Sequence, residues 1–335
     1  MPVTHLTFRS YEDAAGEPNV IVDGTRTANT NLVLSHWPGS PSVAPDLQAD
    51  LSAQMAFRYL DRAEALHADA AVVSNNHFDQ DGLVSIFALS NPEEALARRP
   101  LLEDLAAAGD FATFRFRDAA RASMVIAAFT DAERSPFGPL PDDYGDMTAH
   151  LYTEALGRLT EMVDHVERYR RLWADEDVQL GESEAAIADG TVTIVEHPDV
   201  DLAVVTVPAG RRWSGHRFGG QRFDGVHPMA LHNATACTAL LLVADGSYRF
   251  TYRYETWVQY RSRRVQPRVD LQPLAAALTA VDTVEWVGDP IDGLTPELAP
   301  AGGTDSSLAP DVVTETIARH LRTAPPAFDP YAVTT

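Results

Sequence analysis

Short apolar runs alternate with helical patterns through the first half of the chain. Two runs rich in β-branched residues, NVIV at 19–22 and DAAVVS at 69–74, predict buried strands. Behind a capping Asp46, apolar residues recur every four positions and predict a helix: Leu47, Leu51, Met55 and Tyr59. Further helices are predicted to begin at 83–89 and at Pro92. This alternation predicts an α/β fold with a mostly parallel sheet flanked by helices.

The first half closes with a loop and a long helix. Residues 131–147 hold Pro, Gly and Asp without periodicity, which predicts a surface loop. Apolar residues at helical spacing then predict one long amphipathic helix: Leu151, Ala155, Leu159, Met162, Val166 and Tyr169. The acidic stretch that follows predicts a linker between two domains.

The pattern becomes β-rich after this stretch. Runs at 191–196 and 202–208 predict strands, and an Asp245-Gly246 turn between two strand-like runs indicates a β-hairpin within 239–260. A closing helix is predicted at Val312–Leu321. The predicted organisation is an α/β domain at 1–175, a linker at 176–190, a smaller C-terminal α+β domain at 191–322 and a frayed tail at 323–335.

The charge of the chain excludes several classes of function. Its 335 residues carry 48 acids against 26 bases, a formal net charge of −22, so we expect no binding to duplex nucleic acid or to anionic membranes. All the bases are Arg, which excludes enzymes that depend on a Schiff-base, P-loop or kinase lysine.

The single cysteine, Cys237, excludes an internal disulfide. The N-terminus lacks the pattern of a secretory signal, and the cytoplasm is the expected compartment.

Three residues of metal-ligand type alternate in the loop between the second predicted strand and the next helix. The loop reads His77-Phe78-Asp79-Gln80-Asp81-Gly82. Alternate residues of an extended loop point the same way, so His77, Asp79 and Asp81 are expected to converge on one point at the end of a strand. Two carboxylates with one imidazole suit Mn²⁺ or Mg²⁺.

This loop has two other interpretations. A calcium loop of the EF-hand type requires Glu at its twelfth position, where Ala88 stands, so that interpretation fails. The alternative that remains is a polar turn in which Asp79 and Asp81 merely cap the helix.

The same residues resemble a known family. His-x-Asp-x-Asp-Gly, followed by Ser85, Ala88 and Leu89 at helical positions, is similar to the first motif of the DHH-type phosphoesterases. In the second half, Arg261 and Ser262 resemble the Arg-Ser pair of the DHH-associated C-terminal domain. The resemblance implies a centre of two Mn²⁺ or Mg²⁺ ions and a C-terminal domain that grips the substrate.

The order of the remaining motifs departs from this family. No Asp-His-His string exists, and its nearest equivalents, Asp23 and His36, precede the first motif instead of following it, which indicates a permuted order or different roles. Asp23 has a turn, and His36 a packed loop residue, as its alternative role. Gly109-Asp110-Phe111 distantly resembles the family's later Asp-Thr-Gly-x-Phe motif, which makes Asp110 a candidate ligand against the alternative of an ordinary surface acid.

Basic residues concentrate at 249–268 in an otherwise acidic chain, which marks this region as a candidate site for an anionic group. Arg guanidinium groups match phosphate oxygens bidentately, although the solvent face of a strand is the alternative for some of them. The predicted substrate contacts are Arg253, Arg261, Ser262 and Arg263. His227 and His232 have poor zinc spacing, and structural roles are expected for them.

These observations predict a phosphoesterase that acts on a small anionic substrate such as a nucleotide, a short oligonucleotide or a cyclic dinucleotide. The predicted catalytic residues are Asp79, Asp81 and His36, and the predicted metal ligands are His77, Asp79, Asp81, Asp23 and Asp110. One alternative is a non-catalytic ligand-binding protein that kept the fold and lost the full metal set. Another is a mononuclear metal hydrolase or lyase acting on a substrate without phosphate. The sequence leaves the oligomeric state open, with a homodimer as one option.

Overall fold

A computed structural model of the chain describes residues 5–62, 69–208 and 225–333, together with the backbone of 214–217 and 221–224. Contacts between residues divide the chain into two compact units. The first runs to Asp177 and includes Tyr260–Ser262, and the second holds Val178–Gln259 and the residues from Arg263 onward. The domain boundaries predicted at 175 and 191 stay a prediction. Residues 176–188 of the predicted linker are α-helical.

The first unit contains a four-stranded parallel sheet. Its strands are β1 (Thr7–Phe8), β2 (Asn19–Val22), β3 (Thr30–Leu34) and β4 (Val72–Ser74). They pair in the order β1-β4-β2-β3, and every pairing is parallel. All four residues of β2 are buried, because strands flank it on both sides and helices cover it. The chain reaches β3 on one side of β2 and then β4 on the other, so the strand order reverses at β2.

Helices flank this sheet. Their bounds are α1 (Tyr11–Ala14), α2 (Ser52–Arg62), α3 (Gln80–Ser90), α4 (Pro92–Asp110), α5 (Arg117–Phe129), α6 (Tyr144–Leu156), α7 (Leu159–Asp164) and α8 (Arg170–Ala188). α3 is buried from Gln80 to Leu89 because it packs against both α2 and α4 as well as the sheet. The structure confirms the predicted α/β class with a parallel sheet flanked by helices. No helix in the described residues combines the length and the apolar content that crossing a membrane requires.

The second unit is built on a mixed sheet. Its strands are β5 (Thr193–His197), β6 (Leu202–Thr206), β7 (Ser214–Arg217), β8 (Gln221–Asp224), β9 (Ala239–Ala244), β10 (Ser247–Tyr252), β11 (Arg268–Val269), β12 (Trp286–Gly288), β13 (Glu297–Pro300) and β14 (Pro326–Phe328). Six of them pair in the order β12-β13-β10-β9-β6-β5, while β7 pairs with β8 and β11 with β14. The helices are α9 (Pro228–Ala234), α10 (Leu271–Thr279) and α11 (Pro310–Thr323).

Alternation along β6 and β9 gives this sheet a core on each face. Leu202 and Leu241 belong to a cluster completed by residues of α10 and α11, whereas Ala203 and Leu240 belong to a second cluster with α9. The predicted hairpin is confirmed, since β9 and β10 pair directly around Asp245 and Gly246, which both have positive φ.

Several predicted element bounds are wrong. The first helix begins at Ser52 and not behind Asp46. The loop predicted at 131–147 ends at Asp143, where α6 begins with that residue as its cap. The long helix predicted at 151–169 is broken at Gly157 and His165 into α6, α7 and a 3-10 turn at Val166–Tyr169. The tail predicted to fray contributes β14, which pairs with β11.

Candidate metal centre

Three of the predicted site residues lie where three adjacent parallel strands end. Asp23 directly follows β2, His36 follows β3 by two positions, and His77 lies in the loop after β4. The carboxyl ends of parallel strands meet at one edge of a sheet, and open sheets bind ligands at that edge beside the point where the strand order reverses. The fold therefore brings together residues that are up to 54 positions apart in sequence, as from Asp23 to His77.

Four residues form what we call the inner group: Asp23, His36, Asp81 and Asp110. Each offers one ligand atom, and these atoms lie within 4.8 Å of one another. His36 Nε2 lies 3.4 Å from Asp23 Oδ1, 3.4 Å from Asp110 Oδ2 and 3.8 Å from Asp81 Oδ2. No side chain of the group is more than 4% exposed. Three carboxylates around one buried imidazole nitrogen require positive charge to offset them.

Three residues form what we call the outer group: Asp23, His77 and Asp79. His77 Nε2 lies 3.0 Å from Asp79 Oδ2 and 3.4 Å from Asp23 Oδ2. The side chains of His77 and Asp79 are each 21% exposed, so solvent reaches this group. The two oxygens of the Asp23 carboxylate face different groups, which makes Asp23 the residue that the groups share.

The expectation that His77, Asp79 and Asp81 meet at one point is wrong. α3 begins at Gln80, so Asp81 lies in the first turn of a helix and not in the extended loop. Helical geometry turns its side chain away from that of Asp79 and into the inner group. Asp79 is the cap of this helix, and its Oδ1 accepts a hydrogen bond from the Gly82 amide at 2.8 Å while its Oδ2 faces His77. Capping and a ligand position therefore use different oxygens of one carboxylate.

Hydrogen bonds from outside the two groups fix the orientation of the inner ligands. The Asp50 carbonyl can only accept, so His36 Nδ1 donates to it, which leaves Nε2 as the nitrogen that faces the carboxylates. Asp81 accepts from the amides of Ser52 at 2.8 Å and Ala53 at 2.7 Å, the first residues of α2.

Asp23 is held in an unusual conformation by its surroundings. Its φ of 46° lies in the left-handed region, which Asp tolerates better than most residues. Ser52 Oγ donates to Asp23 Oδ1 at 2.9 Å, whereas Asp23 Oδ2 is buried and accepts no hydrogen bond from any described residue. The next residue must be small, because a Cβ at Gly24 would lie 2.3 Å from Asn76 Oδ1. This carboxylate oxygen faces His77 without accepting a hydrogen bond, and a bound cation would supply the missing partner.

Tyr152 supports the outer group and was not predicted as a site residue. Its hydroxyl donates to the His77 carbonyl at 2.8 Å and accepts from Asn75 Nδ2 at 3.0 Å. The side chain is fully buried on α6, and its ring packs against Phe78. One Tyr in an amphipathic helical pattern carries no signal of this role. The neighbouring Leu151 was singled out only for its apolar spacing.

Burial and mutual charge shift the titration of both groups. Burial, together with the charge of Asp23, raises the pKa of Asp81 to about 7. Burial also opposes the charge on Asp23, but the His36 and His77 imidazoles, each 3.4 Å away, outweigh it and hold the Asp23 pKa well below its usual 3.8. For His36 and His77 burial acts to lower the pKa, yet the surrounding carboxylates raise it above 6.5, strongly in the case of His77. Protons therefore occupy both groups in the metal-free protein near neutral pH.

Comparison with known proteins places the chain in a family. The model of the family described as "Family of unknown function (DUF6687)" matches residues 4–332. The chain belongs to the DUF6687 family. A search of curated proteins gave no match. Among solved structures, the crystal structure of RecJ in complex with Mn²⁺ from Thermus thermophilus is similar, with a TM-score of 0.27 and 13% identity over 86% of this chain and 34% of that one. The DUF6687 chain thus spans about a third of the length of that protein.

The donor set of this DUF6687 protein fits hard divalent cations. The two groups together offer carboxylate oxygens from Asp23, Asp79, Asp81 and Asp110 and imidazole nitrogens from His36 and His77. Carboxylate oxygen with some imidazole suits Mn²⁺ or Mg²⁺, while the thiolates that favour soft metals are absent from both groups. Four carboxylates also match the charge of two divalent ions.

The residues predicted to contact substrate fall into different environments. Arg253 is only 3% exposed, pairs with Glu255 and donates to the Thr235 carbonyl, so it belongs to the core of the second unit and is not placed to bind substrate. Arg263 is 39% exposed and donates to the Ala236 carbonyl. The backbone amides of Arg261 and Ser262 donate to the Asp50 carboxylate.

His227 and His232, for which structural roles are predicted, both lie at α9. His227 caps α9, where its Nδ1 accepts from the Met229 amide at 3.1 Å, and His232 is buried in the same helix.

Proposed function

We propose that this protein is a metal-dependent phosphoesterase that hydrolyses a small phosphorylated substrate with two divalent ions, Mn²⁺ or Mg²⁺. The observation that carries the proposal is the Asp23 carboxylate, which presents one oxygen to His36 and the other to His77 at 3.4 Å each. A carboxylate placed between two ligand sets can hold two ions side by side, as a two-metal centre needs. The resemblance of the His77 loop to the first DHH motif supports the same chemistry.

In this proposal the inner ion is held by Asp23, His36, Asp81 and Asp110, and the outer ion by Asp23, His77 and Asp79. When bound, two such ions supply an activated water and offset charge on the phosphoryl oxygens. The outer group is the side that a substrate would reach, since His77 and Asp79 are 21% exposed whereas the His36 side chain is fully buried. In this proposal His36 acts as a metal ligand, whereas the sequence predicted it only as one of the catalytic residues.

The residues around the outer group position the reacting partners. Tyr152 fixes the loop that carries His77 through the main-chain carbonyl, and the Gly82 amide fixes Asp79. Trp37 packs beside the His77 ring with centroids 5.2 Å apart, which limits the directions from which a substrate approaches. A net charge of −22 favours substrates with few phosphates. Arg261 is exposed, and we propose that its guanidinium group binds the phosphate oxygens that do not react.

Metal stoichiometry tests the proposal most directly. After removal of metal with EDTA, isothermal titration with Mn²⁺ should give two equivalents in the natural protein. Asp79→Ala should lose the outer equivalent, Asp110→Asn the inner one, and Asp23→Asn should weaken both because Asp23 is shared. Asp131→Asn is a matched control, because this Asp also accepts a backbone amide but lies in an exposed turn. Spin coupling between two Mn²⁺ ions in the EPR spectrum should disappear in each of the three site variants.

Activity is then measured with bis(p-nitrophenyl) phosphate and with a set of dinucleotides and cyclic dinucleotides. We expect turnover that requires Mn²⁺ and falls by a factor of about 10³ or more in Asp79→Ala, because removal of a metal ligand removes the electrostatic contribution to catalysis. Two bound Mn²⁺ ions without turnover of any phosphate ester would favour the non-catalytic binding protein. Turnover that survives Arg261→Ala would remove the proposed phosphate contact, and one bound Mn²⁺ would point to the mononuclear alternative.

A further inference from the structure

A short segment from far along the chain belongs to the first unit. Contacts group Tyr260–Ser262 with the first unit, although the residues before and after it in sequence belong to the second. The amide of Arg261 donates to Asp50 Oδ1, and the amide of Ser262 donates to the same oxygen at 2.7 Å. A carboxylate that accepts two consecutive backbone amides makes charge-assisted bonds, which are stronger than neutral ones.

Asp50 also contacts the inner group. Its main-chain carbonyl accepts the Nδ1 proton of His36, the hydrogen bond that aims Nε2 at the three carboxylates. Asp50 lies two residues before Ser52, whose amide holds Asp81. Asp50 thus links the segment to the inner group, because its carboxylate accepts from the segment and its main-chain carbonyl accepts from the His36 ring.

A second contact reaches the inner group from the same segment. The Tyr260 ring packs edge-on against the Phe111 ring, with centroids 5.2 Å apart and planes at 74°. Phe111 directly follows Asp110, and its ring lies 6.2 Å from the His36 ring. The segment is therefore one contact removed from two inner ligands, through Asp50 for His36 and through Phe111 for Asp110.

We propose that Tyr260–Ser262 is a positioning element for the inner group, with Asp50 as the positioning residue. This inference rests on the proposed function, because it assumes that the inner group holds a metal ion. The docked segment fixes His36 and Asp110 in the geometry that the ion requires, as outer-shell partners do for other metal ligands. Suppose that docking of the segment increases the affinity of the inner group for the ion by some factor. By thermodynamic linkage, the bound ion then shifts the equilibrium of the segment towards the docked position by that same factor. Loading of the inner group is thereby coupled to the position of Arg261, the proposed substrate contact.

The absence of lysine provides a direct assay of docking. Trypsin can cleave this chain only after Arg, and the Arg261–Ser262 bond lies within the segment. We measure cleavage at that bond by mass spectrometry, and Mn²⁺ affinity in the Asp79→Ala background, which retains the inner group alone. Asp50→Ala should accelerate cleavage of the metal-free protein and weaken inner Mn²⁺ binding by about tenfold or more. Saturating Mn²⁺ should slow cleavage of the natural protein. The factor of slowing should equal the factor by which Asp50→Ala weakens Mn²⁺ binding.

Matched variants separate positioning from general stability. Asp131→Ala removes another carboxylate that accepts a backbone amide and should change neither cleavage at Arg261 nor Mn²⁺ affinity. Tyr260→Ala removes the contact with Phe111, next to Asp110, and should have the same effect as Asp50→Ala. This variant replaces Asp50→Ala if the latter does not fold. In the Asp110→Asn background, which retains the outer group, Asp50→Ala should leave Mn²⁺ affinity unchanged.

Three outcomes overturn the inference in different ways. If the natural protein binds two Mn²⁺ ions and folded Asp50→Ala or Tyr260→Ala binds them equally well, the positioning role is refuted while the proposed function stands. If the natural protein binds no Mn²⁺, the proposed function and this inference are refuted together. Equal loss of affinity in the inner and outer groups would also overturn it, because only a general structural effect acts on both.

Discussion

Raising the pH from about 5.5 to about 8 should destabilise the metal-free protein and stabilise the Mn²⁺-loaded protein. The opposite signs follow from the groups that titrate at the centre. In the metal-free protein, protons neutralise a buried cluster of carboxylates. In the loaded protein, the cations take over that task and every ligand must be deprotonated.

Asp81, His36 and His77 determine the direction in which the stability of the metal-free protein changes with pH. Asp81 has a folded pKa of about 7 against an ordinary 3.8, so the folded state keeps a proton that the unfolded state has released, and stability falls as the pH rises through this window. A rise of this size corresponds to about 4 kcal/mol. His36 and His77 have raised pKa values, so their contribution is full below 6.5 and is lost as the pH rises through the folded values. Asp23, whose pKa is lowered, acts with the opposite sign only below this window.

The assay combines thermal unfolding with calorimetry. Unfolding is followed by circular dichroism at several pH values with EDTA or with excess Mn²⁺, and Mn²⁺ is titrated in buffers that differ in ionisation enthalpy to count the protons released. Affinity should tighten by about tenfold per pH unit for each proton displaced. Asp81→Asn should flatten the pH dependence of the metal-free protein. A metal-free melting temperature that rises from pH 5.5 to pH 8, or Mn²⁺ binding without proton release, would refute the reasoning.

Three substitutions test the scaffold of the centre and of the second unit by urea denaturation. Gly82→Ala should destabilise by about 1–3 kcal/mol although Ala is the better helix former, because the new Cβ would lie 2.3 Å from Asn75 Nδ2 and 2.4 Å from Tyr152 Oη; unchanged stability would contradict the packing. Tyr152→Phe should cost about 1–3 kcal/mol and weaken outer Mn²⁺ binding selectively, since the His77 carbonyl loses its donor. Arg268→Leu should cost about 1–3 kcal/mol because the buried Arg268 side chain donates to the main-chain carbonyls of Ile291, Gly293 and Leu294, which lose these donors. The exposed Arg319→Leu should be neutral.

The sequence predicted the parts of the centre that depend on strand ends. NVIV and AVVS have the continuous apolar character of buried parallel strands, and polar residues that follow such strands must collect at one edge of the sheet. His77 and Asp79 were named as candidate ligands on this basis, and Asp23 from the resemblance to the DHH-type family; the three lie together in the structure. Their distances test the geometry and not their roles as ligands, which the metal titration addresses.

The sequence could not predict where each element begins. Asp81 was assigned to an extended loop, but Asp79 caps a helix that begins at Gln80, three residues before the predicted start at Leu83, and Asp81 therefore belongs to a different group. The apolar repeat at Leu47 and Leu51 was assigned to a helix, and both residues are indeed buried, but the helix begins at Ser52. The Ser52 amide serves the Asp81 carboxylate, a contact between residues 29 positions apart that no local pattern encodes.

Charge alone did not distinguish buried from exposed arginine. Arg253 and Arg263 belong to the same Arg-rich stretch, yet Arg253 is buried in the second unit, where it pairs with the equally buried Glu255, and Arg263 is 39% exposed. A buried pair of this kind satisfies its own charges and leaves none for a phosphate. Sequence reasoning counted both residues as candidates because the partner that neutralises one of them is visible only once the fold is known.

The order of ligands along the chain matters less than the order of strands in the sheet. A metal site requires side chains at one edge, and parallel strands joined by crossovers can supply them in any sequence order. Here β2 lies between β4, which leads to His77 and Asp79, and β3, which leads to His36. The residue after the central strand is the one that can face both neighbours. Asp23 therefore occupies the shared position because its strand is central, although it precedes every other candidate ligand and belongs to no motif of its own.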